Sequence, residues 1–302
     1  MTPSGLLVVD KPGGMTSHDV VARVRRALGT RKVGHAGTLD PMATGVLVLG
    51  VERATRLLGH LALADKQYRA CVRLGSATTT DDADGEVRAV APAEAVQALD
   101  DVDVREAFAR LVGTIQQRPS AVSAIKVDGR RAYDRVRAGE EVELAPRTVV
   151  IASIVVTDVR WSPGWVDVDI DVACSTGTYI RAIARDVGEA LGVGGHLTAL
   201  RRTRVGPFAV DGAVTLDEVA AEGAGVLRSL DDVVADCFPV WQLASPEDAD
   251  WVRNGRRLPW GGPPDTVDPV AVVGPDGEFL ALASDDHGQA RYLAVLASGA
   301  RS

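Results

Sequence analysis

Residues 166–172 alternate strictly between aliphatic and acidic side chains, and no other stretch of the chain constrains its fold as much. In an extended strand, successive side chains point to opposite faces. The seven residues therefore predict a strand with one buried face and one solvated face. Tyr68–Leu74 shows the same period, and residues 149–157 form a β-branched run. Together these stretches predict a sheet that is covered on one face.

Two amphipathic helices are predicted from apolar residues that recur at helical spacing. The first covers residues 16–28, where Thr16 and Asp19 fit a capping box. The second covers residues 178–191. Helices and strands do not alternate regularly along the chain, so the predicted fold class is α+β, with a mixed or antiparallel central sheet flanked by helices.

The character of the chain changes near residue 237, where a small β-rich unit is predicted to begin. The segment contains a helix candidate, a Pro/Gly linker and three strand candidates, at Pro246–Asn254, 259–264, 269–273, 278–283 and 291–296. We therefore expect a large domain over residues 1–236 and a small one over residues 237–302.

Charge and composition narrow the possible functions. The net charge of −8 argues against a protein that binds nucleic acid over its whole surface. Residues 1–60 nevertheless contain eight basic against four acidic residues, and residues 174–204 contain five against two. Such local excess can bind a phosphate backbone, although ordinary solvated charge is the more common explanation.

Several other classes of function have no support in the sequence. The three cysteines are isolated, no HExxH occurs, and there is no Walker or Rossmann glycine loop, so neither a metal nor a cofactor is expected. The longest apolar runs are too short to span a bilayer. We expect a cytoplasmic protein without a membrane partner.

A polar loop over residues 35–45, HAGTLDPMATG, leads into the apolar strand candidate Val46–Leu49. Its Gly, Pro and Thr content predicts irregular structure. Asp40 precedes Pro41, which disfavours helical backbone angles at Asp40. An isolated Asp-Pro most often caps a turn, but a rigid loop against a buried strand is also how a scaffold holds a reactive group.

The loop and several other motifs resemble the TruB family of transfer RNA (tRNA) pseudouridine synthases. The loop reads as the family's HxGTLDPxAxGVL motif, and further matches follow in the family's order: KPGGMTS at 11–17, KQY at 66–68, RPSAVSA at 118–124, CSTGTYIR at 174–181 and GHLTALR at 195–201. The resemblance extends over roughly residues 5–210.

The resemblance implies an enzyme that moves the glycosidic bond of one uridine in the T arm of tRNA from N1 to C5. It implies that Asp40 is the catalytic carboxylate and that Arg181, predicted at the flank of its helix, pairs with it. Tyr68 is expected to stack on the target base and to assist proton removal from C5. Leu200 is expected to line the base pocket.

The remaining expected contacts concern the RNA. A uridine in a folded T arm must be extruded before it reacts, and His35 is expected to fill its place in the stack. Lys11, Lys66 and Arg202 are expected to contact substrate phosphates or the scaffold. The basic segment 117–145 is expected to be a mobile, RNA-contacting insertion.

The resemblance also bears on partners. The enzyme is expected to act on the T arm as a monomer, without an obligatory protein partner or a cofactor. The small C-terminal unit loosely resembles a PUA-like domain.

Three alternatives remain open at this point. The chain could be an RNA-folding factor with lost or secondary synthase activity, or a relative that depends on a guide RNA. A glycosidase with paired carboxylates is the third, which the absence of a second acidic residue in the Asp40 motif disfavours.

Overall fold

The computed structural model describes residues 2–120, 126–127, 130–131, 144–264 and 269–297, with backbone only for 126–127 and 130–131. The predicted mobile insertion, residues 117–145, lies mostly outside the described residues. Two short paired strands are described within it, β8 (Lys126–Val127) and β9 (Arg130–Arg131).

A mixed sheet organises residues 5–209. Among the described residues its order is β1 (Gly5–Lys11), β3 (Thr44–Val51), β12 (Gly195–Val205), β4 (Lys66–Leu74), β11 (Trp165–Cys174), β10 (Arg147–Ser162) and β7 (Gly113–Gln117), with β2 (Val33–His35) on β3 and β13 (Phe208–Ala209) on β12. Strand β12 runs parallel to β3, whereas its pairing with β4 is antiparallel. A small ribbon, β5 (Ser76–Thr78) with β6 (Val87–Val90), lies beside it.

The alternating strands are confirmed. In β4, Tyr68, Ala70 and Val72 are buried, while the residues between them are exposed or half-buried. Strand β11 repeats the pattern, with Val166 through Val172 buried at every second position. The two strands pair antiparallel, so their apolar sides form one continuous buried face.

The helices among the described residues are α1 (Ser17–Leu28), α2 (Leu58–Leu61), α3 (Ala93–Gln97), α4 (Asp101–Ala109), α5 (Ile180–Ala190), α6 (Leu216–Glu222), α7 (Leu230–Cys237) and α8 (Pro246–Arg253), with 3₁₀ turns at Glu52–Leu57, Val210–Gly212 and Gly223–Val226. Helices α3, α4 and α5 cover the buried face of β4 and β11. Helix α1 has the predicted capping box between Thr16 and Asp19. The α+β class predicted from the sequence is thus confirmed.

The C-terminal residues form a second sheet in the order β14 (Val240–Gln242), β15 (Val270–Val273), β16 (Phe279–Asp286) and β17 (Gln289–Val295). One of its apolar clusters is its own, around Val252 and Leu280. A second cluster joins Phe279 and Leu282 to Leu6 and Val48 of the large sheet. The small sheet therefore packs directly against the large one.

Candidate active site

Asp40 lies in the loop between β2 and β3, and a buried serine on α1 fixes this loop. The hydroxyl of Ser17 accepts a hydrogen bond from the Leu39 amide at 2.9 Å and donates one to the Leu39 carbonyl at 3.1 Å. The Ala43 amide donates to the Asp40 carbonyl at 3.1 Å, which closes a turn directly after the carboxylate. The backbone of Asp40 is therefore held on both sides.

Two buried cations connect the same loop to neighbouring segments, since each donates to carbonyl oxygens inside the loop and outside it. The Lys11 ammonium is fully buried and donates to the carbonyls of Pro12, Met15 and Pro41, at 3.0, 2.7 and 3.2 Å. Burial lowers the pKa of Lys11 to about 8, although the negative charge of Asp40 opposes that shift.

Arg202 is the second of these cations. Its guanidinium donates to the carbonyls of Val46, Thr38 and Gly37, at 2.7, 3.2 and 3.2 Å. Gly45 allows the backbone of Arg202 to lie close to β3, since a Cβ at Gly45 would lie 2.1 Å from the Arg202 carbonyl oxygen. Its φ of +101° also suits glycine alone.

Arg181, in the first turn of α5, meets Asp40 through two contacts. Its Nε lies 3.0 Å from Asp40 Oδ2, and its Nη2 donates to Oδ1 at 3.1 Å. Only 5% of the Arg181 side chain is exposed, against 33% for Asp40. The buried guanidinium therefore fixes the orientation of the Asp40 carboxylate, which is itself partly exposed.

A second carboxylate braces Arg181 from behind. Nη1 of Arg181 lies 3.4 Å from Oδ2 of the buried Asp82 and donates to the Thr80 carbonyl at 3.0 Å. Asp82 is itself held by the Asp84 amide at 3.2 Å and by the Thr80 hydroxyl. Sequence reasoning missed Asp82, because it stands among several acids in a polar turn, TTTDDADG, that resembles a solvated loop.

A cavity of about 290 Å³ opens in front of the Asp40–Arg181 pair, near the lower end of the usual size of ligand pockets. It is lined by Gly37, Thr38, Leu39, Asp40, Ala62, Lys66, Tyr68, Thr176, Gly177, Thr178, Tyr179, Ile180, Arg181, Leu200 and Arg202. Six of the eight residues predicted for the site thus meet at one cavity.

Tyr68 and Leu200 form the strand side of the cavity. Tyr68 is only 7% exposed, and this burial raises the pKa of its hydroxyl, so the phenol is neutral near pH 7. In the β4–β12 pairing, Leu200 lies opposite Ala70, two residues from Tyr68. The two side chains share the buried face of the sheet and give the cavity an apolar wall.

Lys66 lines the cavity, but its ammonium binds backbone carbonyl oxygens. It donates to the carbonyls of Ala62 and Ala64, at 3.0 and 2.6 Å, and burial lowers its pKa to about 8. Lys11, Lys66 and Arg202 were expected to contact phosphates or the scaffold. The described geometry favours the scaffold, because all three cations are buried and donate to backbone carbonyls.

His35 does not belong to the residues that line the cavity, since it lies at the end of β2 beside the loop that carries Asp40. Its ring meets the ring of His18 edge-on, with the centroids 5.4 Å apart. The half-buried His35 therefore stands against α1 rather than against Asp40.

Four of the five basic residues over residues 174–204 are buried or paired with acids, whereas Arg204 is exposed. Arg181 and Arg202 are buried, and Arg185 pairs with Asp81 and Asp186. Arg201 binds Asp10 through two contacts, at 3.0 and 2.7 Å. A count of charges along the chain cannot show these partners, which come from distant segments.

The basic residues at the C-terminal part of α1 and after it remain exposed. They are Arg23, Arg25, Arg26, Arg31 and Lys32. Lys32 makes a contact of 3.5 Å with Glu52 and Arg25 donates to the Val33 carbonyl.

Metal sites and membrane spans are both absent from the part of the chain that the structure describes. Within those residues there is no group of three or more His, Cys, Asp or Glu arranged to hold a metal ion. No helix among them is long and apolar enough to cross a membrane.

Family models match almost the whole chain. Residues 25–180 match the N-terminal domain of the TruB family of pseudouridylate synthases. Residues 181–236 match a C-terminal domain of tRNA pseudouridylate synthase B, and residues 238–297 match the C-terminal domain of tRNA pseudouridine synthase II.

Individual relatives agree with these matches. The chain is 52% identical over 301 residues to tRNA pseudouridine synthase B of Streptomyces griseus, with 98% of each protein covered. It is 58% identical over 281 residues to the protein of the same name from Nocardia farcinica, covering 93% of this chain and 86% of that one.

Among solved structures, a Cbf5-Nop10-Gar1 complex contains a similar chain, with a TM-score of 0.73, 26% identity, and coverage of 98% of this chain and 85% of that one. An H/ACA ribonucleoprotein bound to a substrate RNA that contains 2′-deoxyuridine is similar to the same degree, at 0.73 and 25%, covering 98% and 86%.

Proposed function

The chain belongs to the TruB family of pseudouridine synthases, and we propose that it isomerises uridine-55 in the T arm of tRNA to pseudouridine, with Asp40 as its catalytic carboxylate. The names of its relatives support the reaction and the substrate. The observation that carries the assignment of the site is the contact of Arg181 with both oxygens of Asp40 at the mouth of the cavity.

The reaction balances without a redox partner. The bond from the ribose C1′ to N1 breaks, and a bond from C1′ to C5 forms. C5 loses its proton to solvent, and N1 gains one. The detached base must be held and turned between these events, and a small, partly enclosed cavity provides that restraint.

Asp40 supplies the group that the broken bond requires. A carboxylate can bond to the substrate for a time or stabilise cationic character on the sugar. The Arg181 guanidinium stabilises the negative charge of Asp40 and fixes its orientation. Since Asp40 is partly exposed and Arg181 is buried, the carboxylate is the group that faces a substrate.

Tyr68 and Leu200 hold the base in this proposal. The Tyr68 ring stacks on the uracil, and Leu200 completes the apolar wall. The neutral Tyr68 hydroxyl takes part in proton removal from C5 as a hydrogen-bonding group, because its raised pKa makes the phenolate scarce.

His35 acts outside the cavity. Extrusion of a stacked base costs a few kcal/mol, which is partly recovered when a ring takes its place. The edge-on contact with His18 holds the His35 ring beside the loop that carries Asp40, and in this proposal the ring takes the place of the extruded base.

The organisation proposed for the whole chain follows from the family. Residues 1–236 form the synthase domain and residues 237–302 a PUA-like domain, in a cytoplasmic monomer that needs no protein partner. The separate apolar cluster of the small sheet supports this division.

Release of tritium tests the function. Unmodified tRNA labelled with tritium at C5 of its uridines should lose one label per tRNA to water when the enzyme is added. An RNA-folding factor without synthase activity would release none, and that outcome would refute the proposal. A tRNA with cytidine at position 55 serves as the matched substrate control and should keep its label.

A further inference from the structure

Gln117, the last residue of β7, makes an unusually complete contact with one residue of the active-site wall. The Tyr179 amide donates to Gln117 Oε1 at 2.8 Å, and Gln117 Nε2 donates to the Tyr179 carbonyl at 3.1 Å. The side-chain amide of Gln117 thus pairs with the backbone of Tyr179 as a neighbouring strand would. Gln117 is 1% exposed, so this pairing takes place away from solvent.

Tyr179 occupies a critical position because it is the N-terminal cap of α5. Its carbonyl accepts the first helical hydrogen bonds, from the amides of Ala182 and Ile183 at 3.1 and 3.3 Å. No side chain caps the helix from within, since the Tyr179 side chain makes no capping hydrogen bond. The point at which α5 begins is therefore set in part from another element, β7.

The start of α5 determines where Arg181 lies. Arg181 is two residues beyond Tyr179, in the first helical turn. Thr176 through Tyr179 also line the cavity, so a shift of the Tyr179 backbone would move both a wall and the cation. The contact of Arg181 with both oxygens of Asp40 depends on direction, and a small displacement weakens both bonds together.

We propose that Gln117 is a positioning residue that sets the N-terminus of α5 and thereby aligns Arg181 with Asp40 for catalysis. It touches neither substrate nor reacting atoms, and the inference rests on the proposed synthase function. Strand β7 transmits rigidity to this point, because Gln117 pairs with Arg147 of β10 in the large sheet.

The substitution Gln117→Met tests the proposal, since methionine keeps the approximate length and volume of the side chain but loses both hydrogen bonds. Misplacement of a catalytic group by about 1 Å can cost about 100-fold in rate. We expect the turnover number to fall at least about tenfold, while KM and the affinity for tRNA change less than about threefold.

Gln116→Met is the matched control. Gln116 is the preceding residue of the same strand, but its side chain is exposed and donates to the Thr148 hydroxyl at 2.8 Å. This variant should keep the wild-type turnover number. An equal loss in both variants would show a general effect on β7 and would overturn the proposal.

A double-mutant cycle separates positioning from general destabilisation. In an Arg181→Lys background the double contact of the guanidinium with Asp40 is already lost. Gln117→Met should therefore lower the residual single-turnover rate less than about twofold. A full tenfold loss in that background would mean that Gln117 does not act through Arg181, and the proposal would fail.

A readout that does not depend on turnover completes the test. In the wild type the Tyr179 amide should exchange slowly with deuterium, and in Gln117→Met it should exchange at least about tenfold faster. Equal exchange would refute the proposal. If Gln117→Met does not fold, Gln117→Asn decides by the same exchange measurement, since it keeps the amide but is one methylene group too short to reach both backbone groups of Tyr179. Inactivity of the wild type would instead contradict the proposed function, with the exchange result still deciding the role of Gln117.

Discussion

Arg181 binds Asp40 side-on, with Nε 3.0 Å from Oδ2 and Nη2 3.1 Å from Oδ1. Two parallel contacts fix the plane of the carboxylate as well as its position, which a single point charge does not achieve. The shape of the guanidinium is therefore as important here as its charge.

Arg181→Lys should lower turnover nearly as much as Arg181→Ala. Lysine keeps the positive charge but loses the fork and the donor that reaches the Thr80 carbonyl. Arg185→Lys, one turn later on α5, is the control and should retain most activity, since Arg185 pairs with Asp81 and Asp186 rather than Asp40. Single-turnover pseudouridine formation measures all three. Near-full activity of Arg181→Lys would show that charge alone suffices.

Asp40→Asn should reduce turnover to below a few per cent of the wild type and leave tRNA affinity within about tenfold, or about 1.4 kcal/mol. The amide keeps the size of the carboxylate but can neither attack nor stabilise a cationic sugar as an anion does. Tritium release and a filter-binding titration give the two quantities. Substantial pseudouridine formation by this variant would remove Asp40 from the catalytic role.

Asp82→Asn should lower turnover about tenfold, equivalent to about 1.4 kcal/mol of transition-state stabilisation. Asp82 is buried behind Arg181, and loss of its charge leaves the guanidinium held by Asp40 and the Thr80 carbonyl. The exposed Asp84 offers a control, because Asp84→Asn changes charge in the same turn without a side-chain contact to Arg181. Equal rates for the two variants would show that the brace has no catalytic effect.

The sequence predicted what depends on local pattern and missed what depends on distant partners. Alternation in Tyr68–Leu74 correctly assigned the buried side of β4, because burial in a strand follows from position alone. Arg181 was expected at the flank of α5, yet it is buried, since Asp40 and Asp82 approach it from loops far away in the chain.

The same limit applies to the cations. Lys11 and Arg202 were recognised as part of the site, but the carbonyl oxygens they bind have no signature in the sequence. A buried lysine or arginine that holds a loop cannot be distinguished in the sequence from an exposed one that binds a phosphate. The three-dimensional positions of the acceptors decide between them.

The affinity for tRNA should fall steeply with salt, with a double-logarithmic slope steeper than about −3. The exposed arginines of α1 are the expected main source, because four of the five arginines of 174–204 are paired or buried. Replacement of both Arg23 and Arg26 by Gln should make the slope shallower by about 0.7–0.9 for each arginine that binds a phosphate. Arg110→Gln, which removes an exposed arginine paired with Glu106, should leave the slope unchanged. A flat plot for the wild type would exclude phosphate binding by α1.

The free energy of unfolding should depend on the titration of Lys11 at alkaline pH. Burial lowers its pKa from 10.5 to about 8 in the folded state, so between these values the unfolded chain binds more protons than the folded one. Stability from this group is therefore complete above about pH 10.5, decreases as the pH falls toward 8, and is absent below 8. Relative to Lys11→Met, the wild type should gain free energy of unfolding as the pH rises from 8 to 10.5, whereas the difference should be constant from 6 to 7.5.

Urea unfolding of both proteins across this pH range measures the difference in free energy of unfolding. Since Lys66 and Tyr68 titrate in both proteins, their effects cancel. A difference that stays flat or decreases above pH 8 would show that the carbonyls of Pro12, Met15 and Pro41 hold Lys11 charged in the folded protein.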